Sequence, residues 1–193
     1  MLKIFLVRSG STEFDEQGRI KGSLDIPLSE AGIEQVSRAA EELSQFDISR
    51  IYSSPCRSAI QTAERLSRKG QIKIKTIEKF VNLDHGLWHG KLIEELKATQ
   101  PKKYRQFADN PAAICPPEGE TLQSAQERVA SALNRLLKKH KEDQVILVLP
   151  DPLATIIHAM LASEDVGDLW KSECQCCRWE VIDVSSSKFE IAS

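Results

Sequence analysis

Leu2-Lys3-Ile4-Phe5-Leu6-Val7-Arg8-Ser9-Gly10-Ser11-Thr12 sets how the rest of the chain is read. Residues 2–8 are a nearly continuous apolar run of strand length, which fits a buried strand, and the run stops on a cation followed by small polar residues and a glycine. Ile4-Phe5-Leu6-Val7 is too short for a secretory core and reaches Arg8 without a small-residue cleavage site, so a strand is expected here and not a leader. A polar loop continues through Pro27. The run Val145-Ile146-Leu147-Val148-Leu149 is wholly apolar, as expected of a central strand in a parallel sheet. Ile51-Tyr52-Ser53 reads as a short strand. Ile72, Ile74 and Ile77 alternate imperfectly with lysines and read as a half-exposed edge strand, and two closing strands are expected near 178–184 and 188–192.

Helical patterns separate these strands. Ser29 is a suitable N-cap for a helix whose inner face would carry Ile33, Val36, Ala40, Leu43 and Phe46. Ser54-Pro55 opens a second helix through about Arg68, with Ile60, Ala63 and Leu66 inward and Gly70 ending it. A long amphipathic helix is expected from about Thr121 to Lys139, with Leu122, Ala125, Val129, Leu133, Leu136 and Leu137 on its apolar stripe. Another runs from Asp151 to about Leu161, with Asp151 as N-cap and Pro152 as first helical residue. Strands alternating with helices indicate an α/β layered fold with a mostly parallel sheet. Between about 80 and 117 the pattern breaks into glycines, prolines and short helical pieces near 91–98 and 101–108, an excursion expected to lie over one end of the sheet like a lid. One domain is expected over 1–193.

With 193 residues, 41% of them hydrophobic, the chain has enough apolar material for a core. Its 26 basic and 28 acidic residues nearly balance, so no global field draws in nucleic acid or an anionic membrane, and any charged ligand must be recognised locally. No apolar run approaches the roughly 20 residues that span a bilayer. Five cysteines at no disulfide-framework spacing fit thiols in a reducing, cytoplasmic setting. The cluster Cys174-Gln175-Cys176-Cys177 lacks the second separated pair that structural zinc uses, so no metal is expected. His85 and His89 are flanked by Gly86 and Gly90 and read as loop histidines.

Leu6-Val7-Arg8-Ser9-Gly10-Ser11-Thr12 resembles the histidine-phosphatase signature, whose pattern after a strand is Arg-His-Gly-Glu-Thr. The likeness continues in order through Gly18-Arg19-Ile20-Lys21-Gly22, then Asp25, Pro27, Leu28 and Gly32. It goes on through Tyr52-Ser53-Ser54-Pro55 with Gln61-Thr62-Ala63, Gly86-Leu87-Trp88-His89-Gly90 and Pro117-Glu118-Gly119-Glu120. The resemblance, to the phosphoglycerate-mutase-like family, implies a three-layer α/β/α fold with the pocket at the carboxyl ends of the strands. It also implies metal-free and cofactor-free phosphoryl transfer. In that chemistry a histidine attacks phosphorus, two arginines and a second histidine hold the oxygens, and an acid protonates the leaving group.

Carried onto this chain, those positions read differently. The nucleophile position holds Ser9, the first clamp is Arg8, and the second arginine falls on Ser58 with Arg57 one place early. The acid falls on Asn82, which has no proton to give at neutral pH. The second histidine, expected after the strand ending at Leu149, falls on Pro150. The vestigial pocket implied is Arg8, Ser9, Gly10, Thr12, Arg19, Lys21, Arg57, Ser58, Asn82 and Asp151. A serine nucleophile needs a general base, and losing one preorganised donor commonly costs on the order of 10²–10³ in rate. Asp151, following the strand, is expected within about 6 Å of Arg8, standing in for phosphate. Arg8 suits a structural ion pair as well as a clamp. Arg19 and Lys21 read as solvated loop charges, and Gly86, Trp88 and Gly90 as residues that shape a turn and fill a core gap. His85 is the candidate for an alternative acid or nucleophile.

These readings favour a catalytically inactive family member, a pseudoenzyme that binds an unidentified protein partner or small ligand through the inherited cleft. The alternatives are a residual or repurposed phosphomonoesterase using Ser9 or His85, and a phosphate-ester sensor using Arg8, Arg19, Lys21 and Arg57.

Overall fold

In the computed structural model, which describes residues 1–68, 72–172 and 176–184, the opening run is strand β1 (Leu2–Arg8). On one side it pairs in parallel with β4 (Gln144–Leu149), Ile4 opposite Val145 and Val7 opposite Val148. On the other it pairs antiparallel with β5 (Trp179–Val184), Leu6 opposite Glu180. Beyond β4 lie β2 (Arg50–Ser53) and the edge strand β3 (Ile74–Thr76), both parallel, giving the order β3-β2-β4-β1-β5. The expected mostly parallel sheet with β4 at its centre is what forms. The closing strand expected at 188–192 and the helix stop expected at Gly70 lie outside the described residues.

The two-residue period of β1 divides the core. Ile4 and Leu6 face α6 (Leu122–Lys139) and α7 (Leu153–Ala162), meeting Val129, Leu133, Leu136, Ala154 and Ile157. Phe5 and Val7 face α2 (Glu30–Leu43) and α3 (Arg57–Arg68), meeting Val36, Ala40, Leu43, Ala59 and Ala63. These are the three layers. The inner face of α2 is turned slightly from the expected stripe. Ile33 is 37% exposed, because the first turn is held by buried Gly32 against the backbone of Ser11, and the first buried apolar side chain is Val36. Phe46 lies past the end of α2 but still packs on Phe5, with ring centroids 4.8 Å apart.

A third apolar cluster lies beneath the excursion. Leu83, Trp88, Leu96 and Phe107 are buried there against Ile20, Leu122, Ile156 and Trp170. Leu96 is carried by α4 (Ile93–Thr99) and Phe107 by α5 (Pro101–Asp109), while Leu83 and Trp88 come from the loop and short turn before them. Burying a side chain of this size is worth roughly 1.5–3 kcal/mol, so the excursion is anchored on the body of the protein. Among the described residues no helix is long and apolar enough to cross a membrane.

Candidate functional site

The carboxyl ends of β1, β2 and β4 converge, and their next residues build the site. Ser9 N–H donates to Leu149 O at 2.8 Å and Ser54 N–H to Val148 O at 2.9 Å, which draws the three strand ends together. Ser9 is buried. Its hydroxyl accepts from Ser58 Oγ at 3.4 Å, and Cys56 Sγ lies 3.6 Å beyond Ser58 Oγ. A hydroxyl beside a hydroxyl supplies no general base. Gly10 N–H donates to Thr62 Oγ1 at 3.1 Å; a side chain at Gly10 would meet Val36 and the backbone of Gly32.

Arg8 is turned inward between two carboxylates. Its Nε lies 3.1 Å from Asp151 Oδ2, an ion contact without hydrogen-bond geometry, and its Nη1 donates to Glu180 Oε1 at 2.8 Å. The Arg8 and Asp151 side chains are 8% and 4% exposed. Asp151 also accepts from Thr155 Oγ1 at 3.0 Å. Burial pushes its carboxyl up to about 6, against the opposing pull of Arg8 and Lys21. The expected capping role of Asp151 does not occur: Pro152 is the N-cap of α7, which starts at Leu153. The Asp151 carboxylate is shared between Arg8 and the hydroxyl and backbone amide of Thr155 in the first turn of α7.

Asn82 takes that capping role. Buried to 1% exposure, it accepts from Leu153 N–H at 3.2 Å, while its amide donates to Gly22 O at 2.9 Å and Asp151 O at 2.8 Å. Both ends of its side chain are used.

Lys21 corrects the expectation of a solvated loop charge. It is buried, and its ammonium meets Asp15 Oδ1 at 2.6 Å. Asp15 belongs to the short helix α1 (Glu13–Glu16), whose N-cap Thr12 exchanges hydrogen bonds with it in a capping box. The spacing Thr12-x-x-Asp15 is a signal of that box, so Asp15 was findable in the sequence. Arg19 is half-buried; it donates to Gly90 O at 2.7 Å and to Gln17 Oε1 at 2.8 Å, tying two loops. Arg57 is exposed at the start of α3, its backbone N–H held by Asp25 at 2.6 Å.

His85 lies to one side, stacked on Trp170 at 6.2 Å and edge-on to Phe107 at 5.7 Å. Burial, reinforced by nearby His89, pushes its imidazole down to about 3, so the ring is neutral at physiological pH. Gly86 and Gly90, at φ of +50° and +76°, shape the turns around Trp88, which fills the third core as expected. Two further groups were not anticipated. Glu180 reaches Arg8 from antiparallel β5, and its other oxygen lies 3.3 Å from His158 Nε2. Cys176 lies near Asp15, Lys21, Ser11 and Asp151, and burial pushes its thiol up to about 11. Neither carries a local sequence signal, because each arrives by long-range pairing. Among the described residues no group of acidic, histidine and cysteine side chains is arranged to hold a metal ion.

The comparisons with known proteins agree with this architecture. Phosphoserine phosphatase 1 of Hydrogenobacter thermophilus is 29% identical over 188 residues, covering 97% of this chain and 89% of that protein. Phosphoglycerate mutase-like protein 4 of Arabidopsis thaliana is 32% identical over 149 residues, 76% of this chain and 65% of its own. The fold matches that of Bacillus stearothermophilus YhfR with a TM-score of 0.86 at 24% identity, over 100% of this chain and 96% of that one. Phosphoserine phosphatase from Entamoeba histolytica, solved with 3-phosphoglyceric acid, matches with a TM-score of 0.72 at 28% identity, over 86% of this chain and 82% of its own. The profile of the histidine phosphatase superfamily (branch 1) matches residues 4–193, and the chain belongs to that superfamily.

Proposed function

We propose that this chain is a catalytically inactive histidine-phosphatase-like protein that serves as a binding or regulatory module. We further propose that it forms one domain over residues 1–193, with 80–117 as its lid-like part. The observation that carries the reading is the buried contact of 3.1 Å between Arg8 and Asp151. A phosphate clamp works by offering uncompensated positive charge to developing negative charge. Here the guanidinium already faces two carboxylates, Asp151 and Glu180, and the Lys21 ammonium faces Asp15. An entering phosphate would have to displace or repel carboxylates that are part of the fold. Ser9, Ser58, Asn82 and Pro150 at the positions implied for the reacting groups point the same way. The free thiols Cys56, Cys115, Cys176 and Cys177 support a reducing, cytoplasmic setting.

The relatives' names favour a second reading, a phosphomonoesterase with residual or repurposed chemistry at Ser9 or His85. It predicts a phosphorylated protein, seen as a mass increase after incubation with a phosphate ester. The sensor reading is weakened by the pairing of Lys21 and the carbonyl anchoring of Arg19.

Calorimetric titration with inorganic phosphate separates these. The wild-type chain is expected to give no saturable heat, and Asp151→Ala, which removes one carboxylate from Arg8, is expected to bind measurably. Saturable phosphate binding by the wild type would contradict the self-neutralised pocket.

A further inference from the structure

Away from this pocket, the β2–β3 edge of the sheet and the C-terminal half of α6 enclose a cavity of about 240 Å³. Its apolar lining is Ile77, Ala132, Leu136 and the ring of Tyr52; its charged lining is Lys75, Lys79, Arg135 and Lys139 against the one carboxylate of Glu78. The four cations are all exposed side chains, whereas Tyr52, Ala132 and Leu136 are buried, so an apolar floor carries a cationic rim. On a chain whose formal net charge is −2 this is a local concentration of one sign. Charge of one sign around a low-dielectric concavity focuses its field into the cavity.

The floor is fixed before any ligand arrives. Tyr52 Oη lies 2.6 Å from His140 Nε2, and His140 Nδ1 meets the Asp143 carboxylate. Burial raises the pKa of the phenol, and the Tyr52–His140–Asp143 chain of contacts fixes the ring in place. On the rim, Lys79 is steadied by donating to Ser131 Oγ at 2.8 Å. A preformed concavity loses less on binding than one that must be ordered.

We propose that this cavity is a second ligand site, for a soluble small molecule that carries a carboxylate on an apolar body. The apolar part covers Leu136, Ala132 and the Tyr52 ring, and the carboxylate sits at the rim between Arg135 and Lys139, where a guanidinium offers paired donors. Both features are needed. A neutral body of the same size leaves the rim unused, and a bare anion gains nothing from the floor. The site is independent of whether Arg8 and Asp151 close the other pocket.

The test is titration of the full chain with octanoate below its micelle concentration, with 1-octanol, and with inorganic phosphate. Amide resonances of Ile77, Lys79, Ala132 and Leu136 report the cavity, and those of Ser9 and Gly10 report the other pocket. Octanoate is expected to saturate the cavity resonances alone, roughly tenfold tighter than octanol. Arg135→Glu with Lys139→Glu, both on the exposed rim, should weaken it about tenfold or more, and Ala132→Leu should abolish it by filling the floor. Equal binding of octanol, saturation by phosphate alone, shifts centred on Ser9, or no loss in either folded variant would overturn the proposal.

Discussion

Asn82 shows how closely a single side chain of the pocket is tied into the fold. Both hydrogens of its amide go to carbonyls, Gly22 O and Asp151 O, and its oxygen caps Leu153. A carboxylate at this position would point an acceptor at two acceptors, so an acid here works against the fold. Asn82→Asp is expected to lower unfolding free energy by about 1–3 kcal/mol, the cost of unsatisfied buried polar groups, seen as a lower urea midpoint. His85 gives a pH signature. Its imidazole titrates near 3 in the fold and near the ordinary 6.5 when unfolded, so the unfolded chain binds the extra proton between those values. Stability contributed by neutral His85 is full above about 6.5 and is lost as pH falls, by up to roughly 1.4 kcal/mol per pH unit. His85→Gln is expected to show a flatter loss of stability between pH 6.5 and 4.5 than wild type; identical slopes would show that His85 is not buried neutral. At this scale the sequence was partly readable. The Arg8–Asp151 contact follows from two residues that leave neighbouring parallel strands, and the Thr12–Asp15 box follows from spacing. Glu180 was not readable, since its partner lies 172 residues away and depends on the register of an antiparallel strand.

The elements followed their periods where those were strong and shifted where a contact overrode them. The apolar runs became β1 and β4, and the helical stripes became α2, α3, α6 and α7. The start of α7 departed from the expected cap: the helix begins at Leu153, whose amide goes to Asn82, while the Asp151 carboxylate faces Arg8 and Thr155. The first turn of α2 is set by a backbone approach that no hydropathy pattern reveals. A Cβ on Gly32 would lie 2.1 Å from Ser11 O and 2.9 Å from Ser11 N, both main-chain atoms of the loop after Ser9. Two effects oppose each other in Gly32→Ala. Helix propensity favours alanine by up to about 1 kcal/mol, but overpacking against atoms that cannot rotate away costs about 1–3 kcal/mol. The clash is expected to win, so Gly32→Ala should be less stable than wild type by equilibrium unfolding; a more stable variant would show that α2 can slide off the Ser9 loop.

For the whole molecule, alternating periods were enough to foresee a layered α/β fold with a mostly parallel sheet, and the ordered blocks were enough to foresee the family and the three layers it implies. The third core was not foreseen. Its contributors, Leu83, Trp88, Leu96 and Phe107, are separated by turns with no common period, and their partner Trp170 lies far along the chain. That core packs the excursion against the body of the protein. The family scaffold is therefore intact down to its strand ends, while its charge is balanced internally: Arg8 by Asp151 and Glu180, Lys21 by Asp15. The measurement that tests this account most directly is the rate at which the purified chain hydrolyses p-nitrophenyl phosphate, compared with Ser9→Ala. The account predicts that both rates equal the uncatalysed background. Saturable hydrolysis by the wild type that Ser9→Ala abolishes would contradict it.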